Sequence, residues 1–314
     1  MMKLRDWVNI DKLNWSNLCL NLNAIDILKE NLYIIDWFNI SKNPNAMEIL
    51  KENINKINWN HLSGNPNAIE ILNKYQDKIN WNRLSINKNA INLLRDNQDK
   101  IDWYLLSINS NAIELLRDNP EKIDWDYLSL NTNAIELLKE NIDKINWENF
   151  SLNINAIEIL RENPKNIIWD YLSLNTNAIK LLRENQEKIN WDNLSINPNA
   201  IELLKNNLDK INWNYLSKNK NAIEILRENL EKINWDLLSI NPNAIELLRE
   251  NPNKINWNNL SSNPSIFTYD YIKMKNSNID LKEEIIAKAL HPKRIFRLIE
   301  EYGEEYIYDI YFED

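Results

Sequence analysis

Trp125-Asp126-Tyr127-Leu128-Ser129-Leu130-Asn131-Thr132-Asn133-Ala134-Ile135-Glu136-Leu137-Leu138-Lys139-Glu140-Asn141-Ile142-Asp143-Lys144-Ile145-Asn146 is one period of this chain. Its tryptophan recurs at Trp15, Trp37, Trp59, Trp81, Trp103, Trp147, Trp169, Trp191, Trp213, Trp235 and Trp257, always in steps of 22 residues. Counting slots from each Trp, the unit reads W-x-x-L-S-x-N-x-N-A-I-x-x-L-x-x-N-x-x-K-I-N/D. Eleven full units follow one another, and a twelfth starts at Trp257 and loses the pattern after Pro264. A fixed period of this length is the mark of a solenoid. No unit carries an insertion, so none has grown a loop for a special site.

Start and stop signals divide the unit into two helices. Asn at slot 7 is a strong N-cap. Pro at slot 8 in five units (Pro44, Pro66, Pro198, Pro242, Pro264) suits a first helical position. A longer helix is therefore expected over slots 8 to 16. Asn at slot 17, replaced only by Tyr75 in the third unit, would end it in the left-handed conformation. Asn or Asp at slot 22 would cap a shorter helix over slots 1 to 5. At 100° per residue, slots 10, 11, 13, 14 and 17 share one face of the longer helix. Trp, Leu and Ser at slots 1, 4 and 5 share one face of the shorter helix. No strand is expected. Asn columns at slots 7, 9 and 17 read as hydrogen-bonded ladders, with slot 17 bonding across turns. Rows of opposite charge at slots 12, 15 and 16, such as Glu114 with Arg117, read as exposed pairs.

The fold class is thus all-α, an α-solenoid of about twelve 22-residue two-helix repeats with helical end caps. A single unit buries too little to fold alone, so neighbours must share one core. Units stacked at the usual helix spacing of about 8–10 Å give a body roughly 100 Å long. Residues 1–14 read as a shortened N-terminal cap, Asp6-Trp7 standing for slots 22 and 1 and Lys12-Leu13-Asn14 for slots 20 to 22. The repeats fill 15–264. Residues 265–314 read as a C-terminal cap, with helices over 280–290 and from Pro292 to about Glu301, and an acidic, aromatic tail from Tyr302.

Composition narrows the function. The net charge of −9 argues against a nucleic-acid partner. One cysteine, Cys19, excludes an internal disulfide and suits a reducing compartment. The first residues lack the apolar stretch of a signal peptide, and no run of about 18 apolar residues suggests a membrane span. No catalytic, metal or cofactor site is expected. His61 and His291 are far apart in sequence, and Gly64 and Gly303 cannot build a phosphate-cradling loop. Cys19 stands where other units have Ser, as a buried substitute. The Trp column reads as core rather than as a stacking platform, and the slot 20 lysines as a solvated row.

The stretch Trp191-Asp192-Asn193-Leu194-Ser195-Ile196-Asn197-Pro198-Asn199-Ala200-Ile201-Glu202-Leu203-Leu204 resembles short tandem-repeat proteins of giant DNA viruses of the mimivirus kind. The C-terminal Ala289-Leu290-His291-Pro292-Lys293-Arg294 is similar to the ends of such proteins. An Asn- and Ile-rich composition with A/T-rich codons agrees. The resemblance spans nearly the whole chain. It implies a viral protein in host cytoplasm and brings no defined activity.

Function is then sought where units differ. Slots 2 and 3 hold Asn60-His61, Asn82-Arg83, Tyr104-Leu105, Asp126-Tyr127, Asp170-Tyr171, Asn214-Tyr215 and Asp236-Leu237. They point outward, and Tyr and Arg are enriched at binding hot spots. His61, Arg83, Tyr104, Tyr127, Tyr171 and Tyr215 are therefore the candidate partner-binding residues. Tyr127, Tyr171 and Tyr215, two units apart, are expected along one ridge. The expected role is a non-enzymatic scaffold for a protein partner, with a self-associating component of a virion or viral factory as the alternative.

Overall fold

The computed structural model describes residues 1–277, 279–304 and 307. The repeat body is an all-α solenoid of 22-residue units. Each of the eleven full units has a first helix from slot 1, a second from slot 11 and a 3-10 turn over slots 18 to 20. In the sixth unit these are Trp125–Leu130, Ile135–Lys139 and Ile142–Lys144. The 3-10 turn is an addition to the expected pattern, and the second helix spans only five or six residues, from slot 11 to slot 15 or 16. It begins three residues later than expected because slot 7 is engaged elsewhere. Asn131 is extended and its Oδ1 accepts from the Asn133 N–H at 3.0 Å, which makes slots 8 to 10 a turn. In three of the five units with proline at slot 8 that turn is 3-10: Pro44–Ala46, Pro242–Ala244 and Pro264–Ile266.

Slots 4, 10, 13, 14 and 21 form the core. Leu128, Ala134, Leu137, Leu138 and Ile145 are all buried, as are Ser129 and Asn131. Leu at slots 4 and 14 is buried as expected, and Phe150 fills slot 4 in the seventh unit. Trp is not: every slot 1 indole is half-buried. The ring is too large for the space between units, and its open face takes the stem and ammonium of the slot 20 lysine. Lys144 Nζ lies 4.5 Å from the Trp125 ring centre and Lys122 Nζ 4.4 Å from that of Trp103. These lysines are therefore cation–π partners, not a solvated row.

The Asn columns also differ from expectation. Slot 17 bonds within its own unit: Asn141 Nδ2 donates to the Leu137 carbonyl at 2.9 Å. That satisfies a carbonyl the helix end leaves open, and no non-glycine residue among those described has positive φ. Slot 7 crosses between units instead. Asn131 Nδ2 donates to the carbonyls of Ser107 and Asn109 in the preceding unit at 2.9 and 3.0 Å. Slot 9 adds a third bond, from Asn133 Nδ2 to the Ser110 carbonyl at 2.9 Å. The slot 5 serine ties first helices together. Ser129 Oγ donates to the Trp125 carbonyl at 2.7 Å and accepts from the Asn146 N–H at 3.0 Å. Charged rows pair mostly across units, Arg95 with Glu114 and Arg117 with Glu140, while Arg249 meets Glu246 at the expected i,i+3 spacing.

The repeat body, Leu4–Phe267, closes on itself. The first helix of unit one, Trp15–Leu20, packs against that of unit twelve, Trp257–Ser261. Asn21 Nδ2 donates to the carbonyls of Ser261 and Asn263 at 3.1 and 3.0 Å, the slot 7 bonds of any internal pair. Asn23 Nδ2 repeats the slot 9 bond, to the Pro264 carbonyl at 3.0 Å. The slot 7 ladder therefore runs through all twelve units without a break. The twelfth unit is assembled from both ends of the chain. Residues Trp257 to Ile266 supply slots 1 to 10, and Asn9 to Asn14 supply slots 17 to 22. The 3-10 turn Ile10–Lys12 falls where every unit has one, Lys12 Nζ lies 5.1 Å from the Trp257 ring centre, and the Asn14 N–H donates to Ser261 Oγ at 2.8 Å. The expected match of Lys12-Leu13-Asn14 to slots 20 to 22 holds. That register puts Trp7 at slot 15, not slot 1. Closure replaces the expected 100 Å stack and its N-terminal cap, because a ring has no open end to cover. Consecutive first helices pack side by side, while consecutive second helices stand further apart. In a ring of equivalent units wider spacing means larger radius, so the first helices run at the smaller radius.

Residues Met1–Lys3 and Thr268–Asp314 form a second unit. Against expectation the chain has strands: Met2–Leu4 pairs with Phe267–Tyr269. Phe-Thr-Tyr is a β-favouring run that has left the repeat pattern. Three helices follow, Tyr271–Ser277, Ile279–Ala289 and Pro292–Tyr302. His291 has a structural role, its Nδ1 accepting from the Lys293 N–H at 3.3 Å at the start of the last helix. The acidic, aromatic tail falls largely outside the described residues.

Candidate functional site

Slots 2 and 3 sit opposite the buried slots 4 and 5 on the first helices. Here the side chains vary while the frame does not. Slot 2 of one unit abuts slot 3 of the next, which turns the two columns into one continuous band. Where slot 3 is Asn, its amide spans the units: Asn149 Nδ2 donates to the Asp126 carbonyl at 2.9 Å and Asn193 Nδ2 to that of Asp170 at 2.9 Å. In other units side chains meet instead, as Tyr104 with Tyr127 and Glu148 with Tyr171.

The structure brings some candidates together and leaves others apart. Tyr104 and Tyr127 pack ring on ring, with centroids 3.9 Å apart. The Tyr104 hydroxyl is pushed up to about 12, chiefly by its hydrogen bond with Tyr127. Tyr104 is half exposed, whereas Tyr127 lies partly beneath it. The Tyr171 hydroxyl is raised above its ordinary value by the Glu148 carboxylate of the preceding unit. Tyr215 is exposed. Tyr127, Tyr171 and Tyr215 occupy slot 3 of the sixth, eighth and tenth units. His61 and Arg83, in adjacent units, line one cavity together with Lys42, Asn60, Gly64 and Asn65.

Phe38, at slot 2 of the second unit, was missed by the sequence reading. It is half exposed, stands edge-on to His61 with centroids 4.1 Å apart and lies under Lys42 Nζ at 4.6 Å. Its signal was available, since it is the one phenylalanine in the slot 2 column. Around the band the charge is uneven. Lys42, His61 and Arg83 occupy units two to four, whereas slot 2 is acidic at Asp126, Glu148, Asp170, Asp192 and Asp236.

No family model, curated protein or solved structure matches the chain. Among the described residues no group of His, Cys, Asp and Glu could hold a metal ion, and no helix is long and apolar enough to cross a membrane. Cys19 is fully buried, and burial pushes its thiol up to about 11. The thiolate is the reactive form, so at pH 8 the folded protein should resist iodoacetamide while the urea-unfolded chain is alkylated quickly. Mass spectrometry of both reads the difference, and equal rates would show that Cys19 is reached in the folded ring.

Proposed function

We propose that the ring is a non-enzymatic scaffold that binds a protein partner through the band formed by slots 2 and 3 of the first helices. The observation that supports this most is the separation of constant and variable positions. The slots that carry the ladder and the core barely change between units, while the band presents Phe38, Tyr104 and Tyr215 at 51%, 49% and 40% exposure. Aromatic groups of this kind anchor interfaces because they bury large area at little cost in conformational entropy. Read with the resemblance to giant-virus repeat proteins, the partner is a viral or host protein met in host cytoplasm. The acidic total disfavours nucleic acid as that partner. A self-associating role in a virion or viral factory gains less support, because closure joins the two array ends on which copies would stack.

The test is a variant with Tyr104→Ala, Tyr171→Ala and Tyr215→Ala together. These side chains lie outside the buried core, where substitutions cost little, so its melting temperature should stay within a few degrees of the parent. Affinity capture from host-cell extract, read by quantitative mass spectrometry, should show a partner depleted at least about tenfold, the effect of roughly 1.4 kcal/mol. Retention of the same partner at the same level would remove the band from the interface.

A further inference from the structure

We propose that the cavity around Gly64 is a binding site for a small phosphomonoester, whose phosphate is held by Lys42, His61 and Arg83. This inference stands apart from the protein-scaffold reading and does not depend on it.

Gly64 stands at slot 6. Elsewhere this position carries a side chain, commonly Leu or Ile, as at Ile86, Leu130 and Leu152. The third unit alone has glycine. The backbone does not require it: Gly64 has φ −86°, and a Cβ built there would meet its nearest atoms at an ordinary 3.8 Å. What glycine provides is space, a cavity of about 300 Å³. Small-molecule pockets begin at roughly that size.

The lining gives the cavity its chemistry. Three basic side chains from three successive units converge on it, and no carboxylate lines it. In a chain of net charge −9, with an acidic slot 2 in five of the later units, this is a local reversal of sign. Neither Lys42 nor Arg83 has a carboxylate partner among the described residues. The Phe38 ring packs against both Lys42 and His61 and holds them at the rim. Asn60 accepts from Asn80 Nδ2 at 2.7 Å through its Oδ1, which leaves its own amide nitrogen as a donor. Burial, with Lys42 and Arg83 beside it, lowers His61 below its ordinary value. A tetrahedral dianion can take the planar fork of arginine, an ammonium and an imidazole N–H at once. The volume exceeds a bare phosphate and leaves room for a few carbons. The acidic band beyond disfavours a long polyanion in the same place.

The test uses the full chain and glycerol 3-phosphate, with succinate as a dianion of the other chemistry. Calorimetry at low salt follows binding, and the His61 imidazole signals follow its titration by NMR. Glycerol 3-phosphate should bind saturably, raise the His61 pKa and exceed succinate at least about tenfold in affinity. Gly64→Ile, which restores the side chain of Ile86, and Arg83→Asn, which matches Asn149, should each weaken binding at least about tenfold. Both residues occur at these slots in other units, so the melting temperature should barely move. No saturable binding to the parent chain would overturn the proposal, whatever the variants do. So would succinate binding as tightly as the phosphomonoester, or folded variants that retain full affinity.

Discussion

Leu13→Ala should destabilise the ring by about 2–4 kcal/mol, as much as a change in the middle of the array. In an open solenoid residue 13 would lie in a terminal segment, where fraying makes substitutions nearly silent. In the ring it occupies slot 21 of the twelfth unit. It is as buried as Ile145, its counterpart in the sixth. Its neighbours are tied down as internal residues are. Lys12 covers the Trp257 ring and the Asn14 N–H donates to Ser261 Oγ. Removing three carbons there leaves a cavity in the joint between the two chain ends. Urea denaturation of Leu13→Ala beside Ile145→Ala is the comparison: similar losses are expected, and an unchanged midpoint for Leu13→Ala alone would mean that the joint contributes nothing.

Asn131→Ala should cost about 2–4 kcal/mol, against about 1 kcal/mol for Asn141→Ala. Asn131 is buried and uses three polar atoms. Its two amide hydrogens go to the Ser107 and Asn109 carbonyls, and its Oδ1 accepts from the Asn133 N–H. Alanine strips the Ser107 carbonyl and the Asn133 N–H of these partners, while Asn109 keeps its bond from the Ala112 N–H. Asn141 makes one bond, within its own unit, and is half-buried. Asn131→Asp should be worse than alanine, since it sets carboxylate oxygen against the same two carbonyls. Denaturation midpoints check the order, and equal shifts for slots 7 and 17 would contradict the ladder as described.

Much of this was legible in the unit itself. Leu128, Ala134, Leu137 and Leu138 fall on helix faces that phase alone identifies, and the structure buries them. Trp125 shares its face with Leu128, but phase carries no information on volume, and the indole is left half outside for Lys144. Asn at slots 7 and 17 looks alike in sequence. Which column crosses between units depends on where the neighbouring unit's carbonyls lie, and only packing sets that. Gly64 is too isolated in sequence to build a phosphate loop, and its effect in the fold is the side chain it lacks at slot 6.

Closure was the hardest feature to read, because curvature is not a property of any one residue. It follows from a small difference in spacing between the first and second helices, repeated along the array. One trace was present. Lys12-Leu13-Asn14 matches slots 20 to 22 with no preceding unit to own it, and the unit begun at Trp257 lacks those slots. Two fragments that complete each other across the length of the chain are what a closed ring requires.

The direct measurement is a spin-label distance across the joint. Labels are placed on slot 2 of the first and last units, through Ser16→Cys and Asn258→Cys, with Cys19→Ser removing the native thiol. The control pair carries labels on slot 2 of two adjacent internal units, through Asp170→Cys and Asp192→Cys. The closed ring predicts the same short distance distribution for both pairs, since units one and twelve are neighbours like any others. A broad distribution for the Ser16–Asn258 pair reaching toward the roughly 100 Å of an open twelve-unit stack, with the control pair unchanged, would contradict it.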